Sequence, residues 1–526
     1  MSIKTEIVAI KVHQWLAGWD TVTFDKKENR TKPKPDFLMF TIKAGVLKKL
    51  SKVYPRRADD KRDIEIGIQR KHDPERSEEI SKYVEYGYPL SDLVKKDKIP
   101  KGMEDLQMPG WLPTAIVANI ITNKTIRGNE TIIQEDTIKI SENGNFITLT
   151  LPSKINDPKW NPKVPPIEII DGQHRLWAFE QNTTVSNEFE LPVVAFLDLD
   201  ITWQAYLFYT INVKPKKINR SLAYDLYPLL RIQEWLERSP ETAHVYKETR
   251  AQEIVEVLWS HKKSPWKDRI NMLGDTQKTV EVGKEVPNIT QAAYIRNLIA
   301  SFIKTTVSKG LGGLYGAKLL DNYNTPLSWN RTQQVSFIIF IWQKMYASIE
   351  STKLPWAINL RKLNRPAQGS PNKHATGFDD LAFTSKYSLI SSDQGVRGFL
   401  HIINDMIFTQ SESLGLRNIN WNIDNEKITE SGVSHSDVDK AIRDLLKSSL
   451  SQFVTDICEE LVKFDWRTSS EINLSEEQRR TQMLFKGSSG YKVLRTELLR
   501  LLSNSKIRTI KETSLKVLNE LGYANN

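Results

Sequence analysis

Apolar and polar positions change period twice along this chain. Ile7, Val8, Ile10 and Val12 predict an opening strand, and Phe37 to Leu50 carries apolar residues at mixed helical spacing. Ile64, Ile66 and Ile68 alternate with Glu65, Gly67 and Gln69, the period of a half-buried strand. Asp73-Pro74 supplies a helix cap followed by proline at the first helical position, and Ile80, Tyr83 and Val84 give that helix an apolar face. Thr137 to Ile140 and Phe146 to Leu151 flank Asn143-Gly144, a hairpin signal because both residues tolerate positive φ. Ile167 to Ile170 and Leu191 to Leu199 read as strands, with a helix beginning near Asp171 between them.

From about residue 201 the pattern becomes mostly helical. Ser436 stands as a cap before Val438, Ala441, Ile442, Leu445 and Leu446, an amphipathic stripe that resumes at Phe453, Val454, Ile457 and Leu461. Further helices are predicted at Tyr491 to Leu502 and Thr509 to Leu521. Leu354 to Thr376, with three prolines and five basic or histidine side chains, reads as a basic loop or lid. The fold class is α+β: a mixed α/β domain over residues 1–230, a helical region over 231–425 containing the loop 354–376, and a helical domain over 426–526. No internal repeat interrupts this order.

Composition narrows the picture modestly. With 526 residues, 39% hydrophobic and 26% charged, the chain is long enough for several cores and too apolar for disorder. The longest apolar run, Val335 to Trp342, is too short to span a bilayer, and the start of the chain has no secretory segment, so the expected compartment is the cytoplasm and no membrane partner is expected. A single cysteine, Cys458, excludes an internal disulfide, a multi-cysteine zinc site and an iron–sulfur cluster, and reads as packing. The net charge of +10 favours polyanionic partners without proving one.

The chemistry concentrates in Ile167-Glu168-Ile169-Ile170-Asp171-Gly172-Gln173-His174-Arg175, where an apolar strand meets a turn and a helix. Free amides at the helix start, with Arg175 as a nearby cation, outline an anion pocket. Gly172 would let a phosphate approach the backbone, while Gln173 and His174 could hydrogen-bond or polarise a water. Each residue also has a plainer role: Asp171 as an N-cap, His174 as a packed histidine, Arg175 in an ion pair. A second cluster, Lys214, Lys216, Lys217 and Arg220, is either a solvated face or a contact for a nucleic-acid backbone. Lys262, Lys263, Lys267 and Arg269 form a similar patch around Trp266. The glycine-rich stretch Gly310 to Gly316 lacks the ending of a phosphate-binding loop and reads as a turn.

Asp171-Gly172-Gln173-His174-Arg175 resembles the motif of the DGQHR domain family, which includes the DndB-type proteins of DNA phosphorothioate modification and resembles the ParB/sulfiredoxin fold. Gly67-Ile68-Gln69-Arg70, Trp111 to Val117, Phe208 to Val213, Ser264-Pro265-Trp266 and Gly487 to Tyr491 are similar to further family segments. The resemblance implies a ParB-like N-terminal domain whose pocket holds DNA or a nucleotide. Gln69 and Arg70 would line one side, Asp171 to Arg175 the other, and Asn212 the mouth. It implies a DNA-associated protein of a modification or phage-defence locus, working with the other proteins of that locus; self-association is left open. The rival readings are a nucleoside triphosphatase, in which Asp171 holds Mg2+ carried by the triphosphate and Gln173 or His174 positions water, and a non-catalytic adaptor.

Overall fold

The computed structural model describes residues 5–25, 31–53, 72–94, 98–101, 103–104, 107–122, 126–127, 130–181, 187–214, 219–226, 244–275, 286–362, 381–423, 433–487 and 489–523. The chain divides into two compact units, Met1–Lys217 and Ile218–Asn526. The first is α+β and the second mostly helical.

The N-terminal unit is built on β1 (Glu6–His13), β2 (Asp36–Lys43), β3 (Ser51–Lys52), β4 (Ile116–Ile120), a small β5–β6 pair (Ile126–Arg127, Glu130–Thr131), β7 (Lys139–Asn143), β8 (Phe146–Thr150), β9 (Ile167–Asp171) and β10 (Glu190–Leu197). Eight of these form one mixed sheet in the order β3-β9-β4-β10-β2-β1-β8-β7. Its helices are α1 (Ala44–Leu50), α2 (Pro74–Tyr86), α3 (Leu90–Leu93), α4 (Gln173–Gln181) and α5 (Ile201–Asn212). Ile167 and Ile169 of β9, Ile116 and Ala118 of β4, and Leu191 and Val193 of β10 are buried in one core with Leu176 and Phe179 of α4. Each fully buried aliphatic side chain of this kind contributes about 1.5–3 kcal/mol.

Two local expectations shift, and a third is untested. Phe37 to Leu50 is not one helical segment: strand alternation buries Leu38, Phe40 and Ile42 and exposes Met39, and α1 starts only at Ala44. The hairpin forms, but Asn143 pairs with Phe146, so Gly144 and Asn145 make the turn and Gly144 alone of the three has positive φ, 63°. A glycine first in a two-residue loop suits a type II′ turn. The strand expected at Ile64 to Ile68 lies outside the described residues.

The C-terminal unit contains α6 (Arg220–Asp225), α7 (His244–Ser260), α8 (Gln291–Ala300), α9 (Arg331–Ser351), α10 (Pro355–Lys362), α11 (Asp393–Thr409), α12 (His435–Leu446), α13 (Ser449–Leu461), α14 (Glu476–Met483), α15 (Gly490–Ser503) and α16 (Arg508–Leu521). Val335 to Trp342 is buried on every side because α9 runs through the core, and a capping box between Asn330 and Gln333 starts it. The cap position of α12 is Ser434, two residues before the Ser436 expected from the stripe. The segment expected as a basic loop opens as helix α10, since Trp356 and Leu360 both reach the core one turn apart. Trp266 is fully buried against Tyr294, Trp342 and Phe383.

Candidate functional site

The end of β9 is a clasp. Asp171 is the last strand residue, and Gly172 carries φ 96° at the junction with α4. The guanidinium of Arg175 folds back over the turn, donating from Nη2 to Asp171 Oδ2 at 2.8 Å and from Nη1 to the Thr114 carbonyl at 2.9 Å. Asn212, the last residue of α5, donates from Nδ2 to the other Asp171 oxygen at 3.1 Å. A Cβ on Gly172 would lie 2.6 Å from Ile116 Cδ1 and 2.9 Å from Arg175 Nη2, so the glycine is required by this arginine as well as by its backbone angle.

Asp171 is therefore the centre of a half-buried ion pair rather than an N-cap; its side chain is 18% exposed and that of Arg175 16%. Burial lowers the Arg175 pKa from the usual guanidinium value, with Asp171 opposing and Arg76 reinforcing the change. Between Asp171 and Asn212 the sheet carries a second polar knot. The buried Glu168 carboxylate accepts from Asn119 Nδ2 and Gln204 Nε2, each at 2.9 Å, and Asn119 Oδ1 accepts from Leu199 N at 2.8 Å. These bonds fix α5 against β9 at the level of the clasp.

His174 points into a different neighbourhood. Its ring stacks on His72 at 5.6 Å, and His72 in turn lies 6.1 Å from Trp177 and bonds Ser77 Oγ at 2.8 Å. Gln173, itself buried, reaches His174 Nε2 at 3.4 Å. Burial chiefly, then Arg76 and His72, pushes the His174 imidazole below 6.5 against the pull of Asp73, so at neutral pH the ring is uncharged. The His72 side comes from the start of α2, where Asp73 caps the Glu75 and Arg76 amides at 3.1 and 3.4 Å. Thus the N-termini of α2 and α4 are brought together, with Arg76 exposed at their edge.

The predicted site residues are only partly assembled. Asp171, Gly172, Arg175 and Asn212 form the clasp; Gln173 and His174 lie beside it. Gln69, Arg70, Lys216 and Lys217 lie outside the described residues. Lys214 is exposed, its Nζ 6.0 Å from the Tyr209 ring, whereas Arg220 belongs to the C-terminal unit, at the start of α6. Among the described residues, no group of three or more His, Cys, Asp or Glu side chains could hold a metal ion.

Sequence reasoning missed His72, Arg76 and an aromatic surface. On α5 Gln204 is buried, while Tyr206 is 57% and Tyr209 48% exposed. Trp203 lies 6.1 Å from Tyr206 and 6.2 Å from Phe24, and Trp15 continues the chain of rings to Trp19. Lys32 stands 5.3 Å from the Trp15 ring. The aromatic density of Trp203 to Tyr209, followed at once by Lys214, was the available signal.

A mixed-sheet α+β unit with a strand–glycine–helix clasp and an exposed aromatic–cation surface defines the class. Residues 31–230, which include all of these elements from β2 to α5, match the family model DndB, DNA-sulfur modification-associated. No curated protein matches the chain, and no solved structure does. Among the described residues no helix is long and apolar enough to cross a membrane.

Proposed function

We propose that this chain is a DNA-associated component of a DNA-sulfur modification system, acting with the other proteins of that system, and that its N-terminal unit contacts DNA through α5 and the neighbouring clasp. The observation that carries this reading is the exposed Tyr206–Tyr209–Lys214 surface, which lies inside the family-matched segment and beside Asn212. Aromatic faces with adjacent cations suit stacked bases and a phosphate backbone. Arg76, together with the paired α2 and α4 N-termini, offers a further phosphate contact next to the clasp.

A nucleotide at the same place is the catalytic version of this reading. Each oxygen of Asp171 already accepts one hydrogen bond, from Arg175 and from Asn212, which leaves each a lone pair for a Mg2+ ion carried by a triphosphate. In this version His174 orients the ligand or a water as a neutral ring.

Fluorescence anisotropy on duplex and single-stranded DNA across a salt series tests the proposal. Replacing Lys214, Lys216 and Lys217 with Ala should lower the log–log salt slope by about 2 to 3. Tyr206→Ala with Tyr209→Ala should weaken single-strand binding by about 1–3 kcal/mol per lost stack. Unchanged affinity and slope in both variants would refute it, and triphosphate turnover measured with and without DNA decides the catalytic version.

A further inference from the structure

A cavity of about 270 Å³ is lined wholly by residues of the C-terminal unit. One wall is the glycine-rich turn. Asn404 of α11 pins that turn by donating to the Gly312 carbonyl at 2.8 Å and accepting from Leu314 N at 3.0 Å. Gly312 has no room for a side chain, since a Cβ would lie 2.5 Å from Ala317 Cβ and 2.9 Å from Phe408 Cζ.

The chemistry of the lining is lopsided. Lys304, Lys309 and Arg495 supply three cations and Asp405 one carboxylate, which is buried and ion-paired to Arg495. Arg397, one turn before His401 on α11, adds a fourth positive charge nearby and lies 3.6 Å from the Tyr491 ring, against which His401 also stacks at 6.0 Å. Glu520 lies against Gly310, outside the lining.

Two nitrogens are left over. Arg495 Nε and His401 Nε2 are buried and have no hydrogen-bond partner among the described residues. His401 is 9% exposed and lines the cavity. Burial first, then Arg495, Arg397 and Lys304, holds its ring well below 6.5, so it is neutral and can present an N–H without adding charge. Leaving such groups unsatisfied is unfavourable. An anion with several equivalent oxygens matches the excess of cations.

We propose that this cavity binds a small phosphate-bearing molecule, its phosphoryl oxygens received by Lys304, Arg495 and His401. Lys309 and Tyr523 stand at the same cavity as a cation and an aromatic face for the rest of the ligand. The volume lies at or just under the small end of ligand pockets, about 300–1,000 Å³, which favours a compact phosphate ester over a dinucleotide.

Isothermal titration of the full chain with inorganic phosphate and with AMP, in chloride buffer of matched ionic strength, tests this. Binding of both, weakened about tenfold or more by Lys304→Ala and unchanged by Lys139→Ala at an exposed strand position of the other unit, supports the proposal with an ester as ligand. Phosphate binding alone, with the same dependence on Lys304, supports it with the free anion as ligand. Circular dichroism checks the fold of Lys304→Ala, and Lys309→Ala, an exposed position, serves if that variant does not fold. No binding of either probe at about 20 mM, or binding indifferent to both lysines, overturns the proposal.

Discussion

Gly172→Ala is the sharpest probe of the clasp, because a backbone cost, a contact with Ile116 Cδ1 and a contact with Arg175 meet at one methyl group. The backbone at φ 96° would place alanine in a conformation that L-residues avoid, at about 1–2 kcal/mol. The methyl would also fall 2.9 Å from Arg175 Nη2 and 3.2 Å from Nε, forcing the guanidinium off Asp171 and the Thr114 carbonyl. Charged hydrogen bonds of this kind contribute about 1.5–3 kcal/mol each, reduced here because the arginine retains some solvent. Together the loss should reach about 3–5 kcal/mol. In an Arg175→Ala background the arginine part of the cost has already been removed, so Gly172→Ala should then cost less by that part, leaving the backbone cost and the contact with Ile116 Cδ1. Amide hydrogen exchange over β9 and α4 in the full chain measures the four corners of this cycle locally, unaffected by the stability of the C-terminal unit. A coupling below about 0.5 kcal/mol would refute the clasp. In that event Gly172 is a glycine kept open for an approaching phosphate, with Gly172→Ala impairing ligand binding and leaving exchange unchanged.

Asp171→Asn should lower local stability by about 1–3 kcal/mol in the same exchange measurement, because Arg175 loses a charged acceptor; an Asn as good as Asp would restore the N-cap reading. His401 titrates near 6.5 when exposed and well below that when folded, so the unfolded chain binds the extra proton between the two values. Stability of the C-terminal unit should thus be full above about pH 6.5 and fall as pH drops through that interval, and His401→Asn should remove up to about 1.4 kcal/mol per pH unit of the slope in urea titrations. Cys458 is fully buried on α13 with its thiol pushed far above the ordinary range by burial, so thiol reagents should leave the native protein unlabelled and modify it only at the rate of unfolding.

What could be read from the sequence was what is decided within a few residues. The strand–glycine–helix order around Asp171, the hairpin at Gly144, the cap at Asp73 and the stripes of α12 and α13 all rest on local periodicity or turn chemistry. The junction at Lys43 and Ala44 was not legible, because strand passes into helix without a breaking residue. Nor were the partners of Asp171: Arg175 is local, but Asn212 lies 41 positions away, and the carbonyl that completes the arginine's fork is 61 positions before it. A polar residue after a strand reads as a cap only until its distant partners are known.

Helix α5 shows why the remaining surface escaped notice. In an ordinary amphipathic helix the apolar residues mark the buried face, and α5 carries Trp203, Tyr206, Phe208, Tyr209 and Ile211. Here the orientation is inverted in part: the buried residue is Gln204, drawn in by the Glu168 carboxylate, and Tyr206, Tyr209 and Ile211 face outward. Satisfying a buried carboxylate with side-chain amides outweighs hiding those rings, since an unpaired charge in the core is far more costly than exposed apolar area. The polar knot inside the sheet and the aromatic surface outside it are therefore two consequences of one packing choice. A Glu168→Gln substitution, which weakens the hold on Gln204, should loosen both the clasp at Asn212 and the display of Tyr206 and Tyr209. Reduced single-strand DNA binding together with faster exchange in β9 would connect them. Faster exchange in β9 with binding unchanged would show that α5 presents its rings without help from the knot.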